Sequence, residues 1–81
     1  MNMKMDLIPL NKVPLGNTCL VVKLNCVGSR KRRMLDLGLI NGTKIKSLEK
    51  SPSGDPVAYE IRGAVIALRS EEASEILVQL I

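Results

Sequence analysis

Apolar and polar residues alternate along most of this chain, in short runs broken by Gly, Pro, Asn and Ser. The stretch VAYEIR (Val57 to Arg62) alternates most cleanly. It sets Val57, Tyr59 and Ile61 on one face and Glu60 and Arg62 on the other, the period of two that marks a half-buried strand. Gly63 interrupts, and AVIALR (Ala64 to Arg69) returns as the second arm of a hairpin. TCLVVKL (Thr18 to Leu24) is β-branched and groups Leu20, Val22 and Leu24 on one face. TKIKSLEK (Thr43 to Lys50) starts with Ile45 inward and Lys44 and Lys46 outward, then slips phase at Ser47-Leu48, which predicts a bulge or bend. ILVQLI (Ile76 to Ile81) supplies a closing strand. PLNKVPLGN (Pro9 to Asn17) and SPSGDP (Ser51 to Pro56) read as loops, and Asn41-Gly42 as a turn.

Two stretches break the period of two. In SRKRRMLDLGL (Ser29 to Leu39) Ser29 can N-cap a helix through its hydroxyl, and Met34 and Leu35 begin an apolar face. Gly38 falls at the C′ position, which makes Leu39 C″ and Met34 C3, the apolar pair that closes a Schellman ending. A short helix from about Arg30 to Leu37 follows. Ser70, with Glu71 and Glu72 at the favourable end of the dipole, starts a second helix of one turn. The expected fold is mainly β: one domain over residues 1–81, about five strands and two short helices, with residues 1–5 a flexible lead. A sheet of this size closes best as a small barrel, because closure removes exposed edges.

Composition narrows the chemistry. With 81 residues, 46% hydrophobic, no Phe, no Trp and only Tyr59, the core must be aliphatic, and stability is on the order of 5 kcal/mol. No apolar run approaches the roughly 18 residues of a membrane span. The apolar patch in MNMKMDLIPL is too short for a secretory signal and lacks a small-residue cleavage site. A cytoplasmic protein is expected, with Cys19 and Cys26 too few to staple the fold and kept as thiols. The chain has no His, which removes the commonest general base and transition-metal ligand. Cys-x6-Cys does not match tetrahedral zinc spacings, and there is neither a nucleophile motif nor a glycine-rich phosphate loop. No catalytic, cofactor or metal site is expected. The formal net charge of +4 favours an acidic partner: nucleic acid, an anionic membrane surface or an acidic protein.

Two longer stretches, RRMLDLGLINGTKI (Arg32 to Ile45) and SPSGDPVAYEIRGAVIALRSEEASEILV (Ser51 to Val78), together resemble the FeoA family, ferrous iron transport protein A. The likeness runs from about Pro14 to the end. Ser53 stands where the family more often has Leu, and the residues before Asp6 lie outside the pattern. The resemblance implies an SH3-like barrel. It also implies a small cytoplasmic, non-enzymatic adaptor or regulator of FeoB, the membrane GTPase that imports ferrous iron, held peripheral to the inner membrane through that partner. It brings no catalytic residues.

The candidate partner-binding residues are Arg30, Lys31, Arg32, Arg33 and Asp55. The four cations sit at the start of a helix, where the macrodipole is already positive and each exposed charge costs roughly 0.3–1 kcal/mol. Docking on an acidic surface would explain the placement; a solvated face with stems lying over the core would not need one. Asp36 can offset part of the cost by pairing with Arg32 or Arg33 at helical spacing. Asp55 either shapes its loop or meets the partner. The alternative function is a basic module that binds nucleic acid through phosphate contacts. Base stacking and Pro-rich peptide binding both need aromatic surfaces that one Tyr cannot supply.

Overall fold

The computed structural model describes residues 6–81, and the flexible lead expected at residues 1–5 lies outside them. Six strands form one antiparallel sheet: β1 (Ile8–Pro9), β2 (Thr18–Leu24), β3 (Lys44–Lys50), β4 (Val57–Ile61), β5 (Ala64–Leu68) and β6 (Ile76–Leu80). Their order across the sheet is β1-β6-β2-β3-β4-β5. Helix α1 (Gly28–Asp36) connects β2 to β3, the one-turn α2 (Ser70–Ala73) connects β5 to β6, and a 3-10 turn (Leu10–Lys12) follows β1. The architecture is SH3-like. One strand exceeds the expectation, because β1 is two residues long and pairs only Ile8 with Val78 and Pro9 with Leu77. Two residues cannot show an alternation, and Pro9 brings no N–H to a ladder.

The sheet is not closed by hydrogen bonds: β1 and β5 are its two ends and do not pair with each other. Helical turns cover the core in place of a closing ladder. The Leu10–Lys12 turn packs against α2, and Leu10 and Ala73 are fully buried there. The core is aliphatic as composition requires, built around Val21, Met34, Leu39, Ile45, Ile61 and Val78, with Tyr59 as its one aromatic.

Strand β2 faces the other way from its expected orientation. Cys19 and Val21 are buried, while Leu20 and Val22 are half-buried. A register shift against β6 between Val21 and Lys23 then returns Leu24 to the core side. An uninterrupted apolar run gives no parity, so which alternate set turns inward is decided by the partner strands. In β3 the expected slip is present, between Ser47 and Glu49 opposite Tyr59 and Ala58. Arg62 is not a strand residue. It forms with Gly63 a two-residue hairpin turn with φ of +51° and +84°, the left-handed pair of a type I′ turn.

Helix α1 begins at Gly28, two residues before the expected Arg30, and its N-cap is Val27 rather than Ser29, with no side-chain cap. Its carboxyl end is the expected Schellman closure: Gly38 (φ +88°) donates its N–H to the Leu35 carbonyl at 2.9 Å, and Leu39 donates to Met34 at 3.1 Å. The Gly38 carbonyl then accepts from Thr43 Oγ1 at 2.9 Å and from Arg62 Nε at 3.1 Å. A Cβ on Gly38 would lie 2.5 Å from Arg62 Nε. At α2, Asp55 Oδ1 accepts the Ser70 N–H at 2.8 Å, and Glu72 Oε1 accepts the Arg69 N–H at 3.0 Å. The start of α2 is therefore satisfied jointly, by its own Glu72 and by Asp55 from the β3–β4 loop.

Gly38→Val should lower stability by roughly 1–2 kcal/mol or more, since an L side chain pays for the left-handed conformation and also displaces Arg62. Gly38→Asn should be milder, because Asn adopts that conformation more readily. Equal denaturation midpoints for the two would mean that the Arg62 contact, and not the backbone, sets the requirement. Asp55→Ala should cost roughly 0.5–2 kcal/mol, the value of a lost N-cap acceptor, and Asp55→Asn clearly less; urea titration of both variants tests the assignment. Burial pushes the Cys19 thiol up from 9.0 to about 11. Burial first, then the charges of Cys19 and Asp55, push Tyr59 from 10.0 to about 12. The folded state thus holds protons that the unfolded chain releases, and stability should fall as pH rises from about 9 toward 11. Thermal midpoints across that range check this, and Cys19→Ala should remove the earlier part of the decline.

Candidate partner-docking face

The period of α1 divides its residues into two stripes. Arg30, Arg33, Met34 and Leu37 face the body of the protein, where Met34 is fully buried and Leu37 packs against the core. Gly28, Lys31, Arg32 and Leu35 follow the same spacing on the outer side, where all four are exposed.

The inner stripe uses two of the four cations of the run. Arg30 Nη1 donates to Glu75 Oε1 at 2.9 Å, and Arg33 pairs with Glu72. The hydrogen bond from Arg30 to Glu75, reinforced by the attraction of the two charges, holds the guanidinium still more firmly protonated. Glu72 serves both helices, one oxygen on the Arg69 N–H and the other on Arg33. The negative charge that the positive start of α1 lacks in its own sequence thus comes from α2 and the residue before β6. Asp36, the partner expected from helical spacing, is in none of the ion pairs among the described residues.

Lys31 and Arg32 are exposed and, among the described residues, unpaired. Beside them Leu35 is 46% exposed and Ile40, just beyond the helix, 54%. An open groove of about 410 Å³ runs between α1 and β2, bordered by Lys31, Leu35, Ile40, Val22, Leu24 and Asn41. This is a mixed face, with apolar side chains bordered by cations. Leu35, expected beside Met34 at the start of the apolar face, lies on the outer stripe instead. Separating the two stripes at spacings of three and four would have placed it outside.

The expected residues are therefore not one site. Lys31 and Arg32 share the open face, whereas Arg30 and Arg33 hold α1 to Glu75 and Glu72. Asp55 binds the start of α2 and lies 3.8 Å from Arg69 Nη1. Cys19 and Cys26 are buried free thiols, and Cys19 Sγ lies 3.5 Å from the Ile45 carbonyl. Among the described residues no three His, Cys, Asp or Glu side chains are grouped to hold a metal ion, and no helix is long and apolar enough to cross a membrane.

Comparison with known proteins gives this face a context. The FeoA domain family model matches residues 8–80. An Fe(2+) transport protein A/Fe(2+) transporter FeoB fusion protein of Porphyromonas gingivalis is 32% identical over 72 residues, which are 89% of this chain. The chain spans only 8% of that fusion protein's length. Among solved structures, a FeoA-like protein from Clostridium acetobutylicum is 34% identical, with a TM-score of 0.87 over 98% of this chain and 91% of that one. Stenotrophomonas maltophilia FeoA complexed with zinc, described as an SH3 domain protein, is 26% identical with a TM-score of 0.78, over 86% of this chain and 87% of that one. The match over nearly all of the described strands and helices leaves one assignment: the chain belongs to the FeoA family.

Proposed function

We propose that this protein is a non-enzymatic adaptor of ferrous iron uptake, cytoplasmic, that docks on the cytosolic part of a FeoB-type transporter. The observation that carries this reading is the fusion of a related domain to a FeoB transporter in one polypeptide, since fused domains work at high effective concentration on one another. The docking surface in this reading is the outer stripe of α1, with Lys31 and Arg32 steering association and Leu35 and Ile40 supplying the apolar contact. Arg30, Arg33 and Asp55 support that face from within and do not themselves bind. The mixed character of the stripe favours a protein partner over nucleic acid, whose phosphates would be met by the full row of cations.

Because Arg30 is an internal ion-pair partner, the test belongs to the two open cations. Lys31→Glu with Arg32→Glu should slow association with the purified cytosolic part of the cognate transporter and flatten its salt dependence. Lys44→Glu with Lys46→Glu, equal in total charge but on β3, should change both less. Leu35→Ser with Ile40→Ser should instead speed dissociation. Surface-bound kinetics at two salt concentrations read all three, and equal loss from the two charge reversals would make the α1 stripe a solvated face only.

A further inference from the structure

We propose that the free edge of β5 takes an extended segment of a partner chain as a seventh strand, a segment with apolar residues at alternate positions and an acidic residue at each end. The proposal rests on residues other than the α1 face and goes beyond the docking read there.

The geometry follows from the hairpin. β5 pairs only with β4, in the register Ile61↔Ala64, Glu60↔Val65, Tyr59↔Ile66, Ala58↔Ala67 and Val57↔Leu68. Across a two-residue turn the flanking pair, Ile61 and Ala64, exchanges both hydrogen bonds, and hydrogen-bonded pairs then alternate. Ile66 and Leu68 therefore turn their backbone groups toward β4, and Val65 and Ala67 turn theirs away. Among the described residues no hydrogen bond reaches that outer row. Both Val65 and Ala67 are exposed, Val65 at 68%.

Edges that must stay unpaired carry a charge, a Pro or a bulge. Ala-Val-Ile-Ala-Leu has no charge and no Pro, and its register with β4 is unbroken. The outer face next to it is also shaped. Ala58 and Ala67 are opposite each other and, with Pro56, Ser51 and the stems of Glu49 and Lys50, line a hollow of about 210 Å³. Paired residues in a ladder share a face, so the segment's residue opposite Ala67 would lay its side chain at this hollow, and the one opposite Val65 would lie against the Val65 side chain. Main-chain bonds then give affinity and the hollow gives selectivity, the division of labour in strand addition.

Charge decides the occupant. The edge runs from Arg62 to Arg69, both exposed, an interval of about 23 Å in extended chain. A second copy pairing antiparallel would bring Arg62 of one copy beside Arg69 of the other, in a protein that already carries a net charge of +4. An acid-ended segment meets both arginines with opposite charge, at the guanidinium of Arg62, whose Nε is held by the Gly38 carbonyl, and at Arg69, which it would share with Asp55 at 3.8 Å.

The probe is the blocked peptide acetyl-Asp-Thr-Val-Thr-Val-Thr-Thr-Glu-amide, which sets its two Val opposite Ala67 and Val65 when its acids meet Arg69 and Arg62. A control peptide carries Lys at both ends. In amide hydrogen exchange and titration by NMR, the acidic peptide should slow exchange at Val65 and Ala67 and leave the α1 amides unchanged. The Lys-ended peptide should bind at least about tenfold more weakly. Ala67→Pro and Val65→Pro each delete one outward donor without touching the ladder to β4, so whichever variant folds, judged by its thermal midpoint, should lose the binding. Absence of protection at Val65 and Ala67, equal binding of the two peptides, or undiminished binding by a folded Pro variant would overturn the proposal. So would a concentration-dependent dimer that the Pro substitution dissolves, which would assign the edge to a second copy.

Discussion

Within α1 a single side chain, Met34, is fully buried, so its narrow apolar face is supplemented by contacts that fix the helix at its two ends. At the carboxyl end the Gly38 carbonyl gathers Thr43, just before β3, and Arg62 from the β4–β5 turn. That one acceptor joins the helix end to the residue just before β3 and to a hairpin turn 24 residues further along the chain. It is available because the left-handed Gly38 ends the helix and because the missing Cβ leaves room for Arg62. At the amino end Arg30 and Arg33 reach Glu75 and Glu72. Ion pairs this exposed contribute little each to stability, yet two of them, one turn apart, resist rotation about the helix axis. The outer stripe of α1 faces solvent because both ends hold the inner one.

The same economy governs the sheet. With no Phe or Trp, the core is filled by aliphatic side chains that need neighbours on every side to exclude water, and Leu10 and Ala73 complete it from outside the main strands. Asp55 stabilises this cover indirectly, by accepting the N–H that begins α2. Loss of Asp55 would therefore be felt at the Glu72 and Glu75 side chains that anchor α1. A partner effect of an Asp55 substitution could arise from that route without any contact at Asp55 itself.

What could be read in the sequence was local. The Schellman ending needs only the order Met34, Gly38, Leu39, and the β3 slip needs only Ser47 followed by Leu48; both were legible. The orientation of β2 was not, because Leu20-Val21-Val22 offers either parity and β6 and β3 select Cys19 and Val21. β1 was hidden by its length and by Pro9. The most consequential miss was in the basic run. Arg30 and Glu75 are 45 residues apart and Arg33 and Glu72 are 39, so no local rule could name these acids, although helical spacing from Met34 already sets Arg30 and Arg33 on the inner stripe. The unfavourable position on the macrodipole is answered inside the fold for Arg30 and Arg33. Leu35 is next to Met34 in sequence, but helical spacing turns it about 100° away and out to solvent.

This division of the run has a consequence for how the α1 face can act. Four unpaired cations would give long-range attraction to any polyanion, strong in dilute salt and lost in concentrated salt. Two cations beside Leu35 and Ile40 give a weaker field and an apolar surface whose contribution does not depend on salt. Charges of this kind chiefly set the rate of encounter, while buried apolar contacts set the lifetime. In the docking proposed above, a domain fused to a transporter, as in the Porphyromonas gingivalis relative, would need little steering, because the link already supplies proximity. A separate chain must find its target by diffusion. Lys31 and Arg32 would therefore matter most in a free-standing protein, and Leu35 and Ile40 in either arrangement.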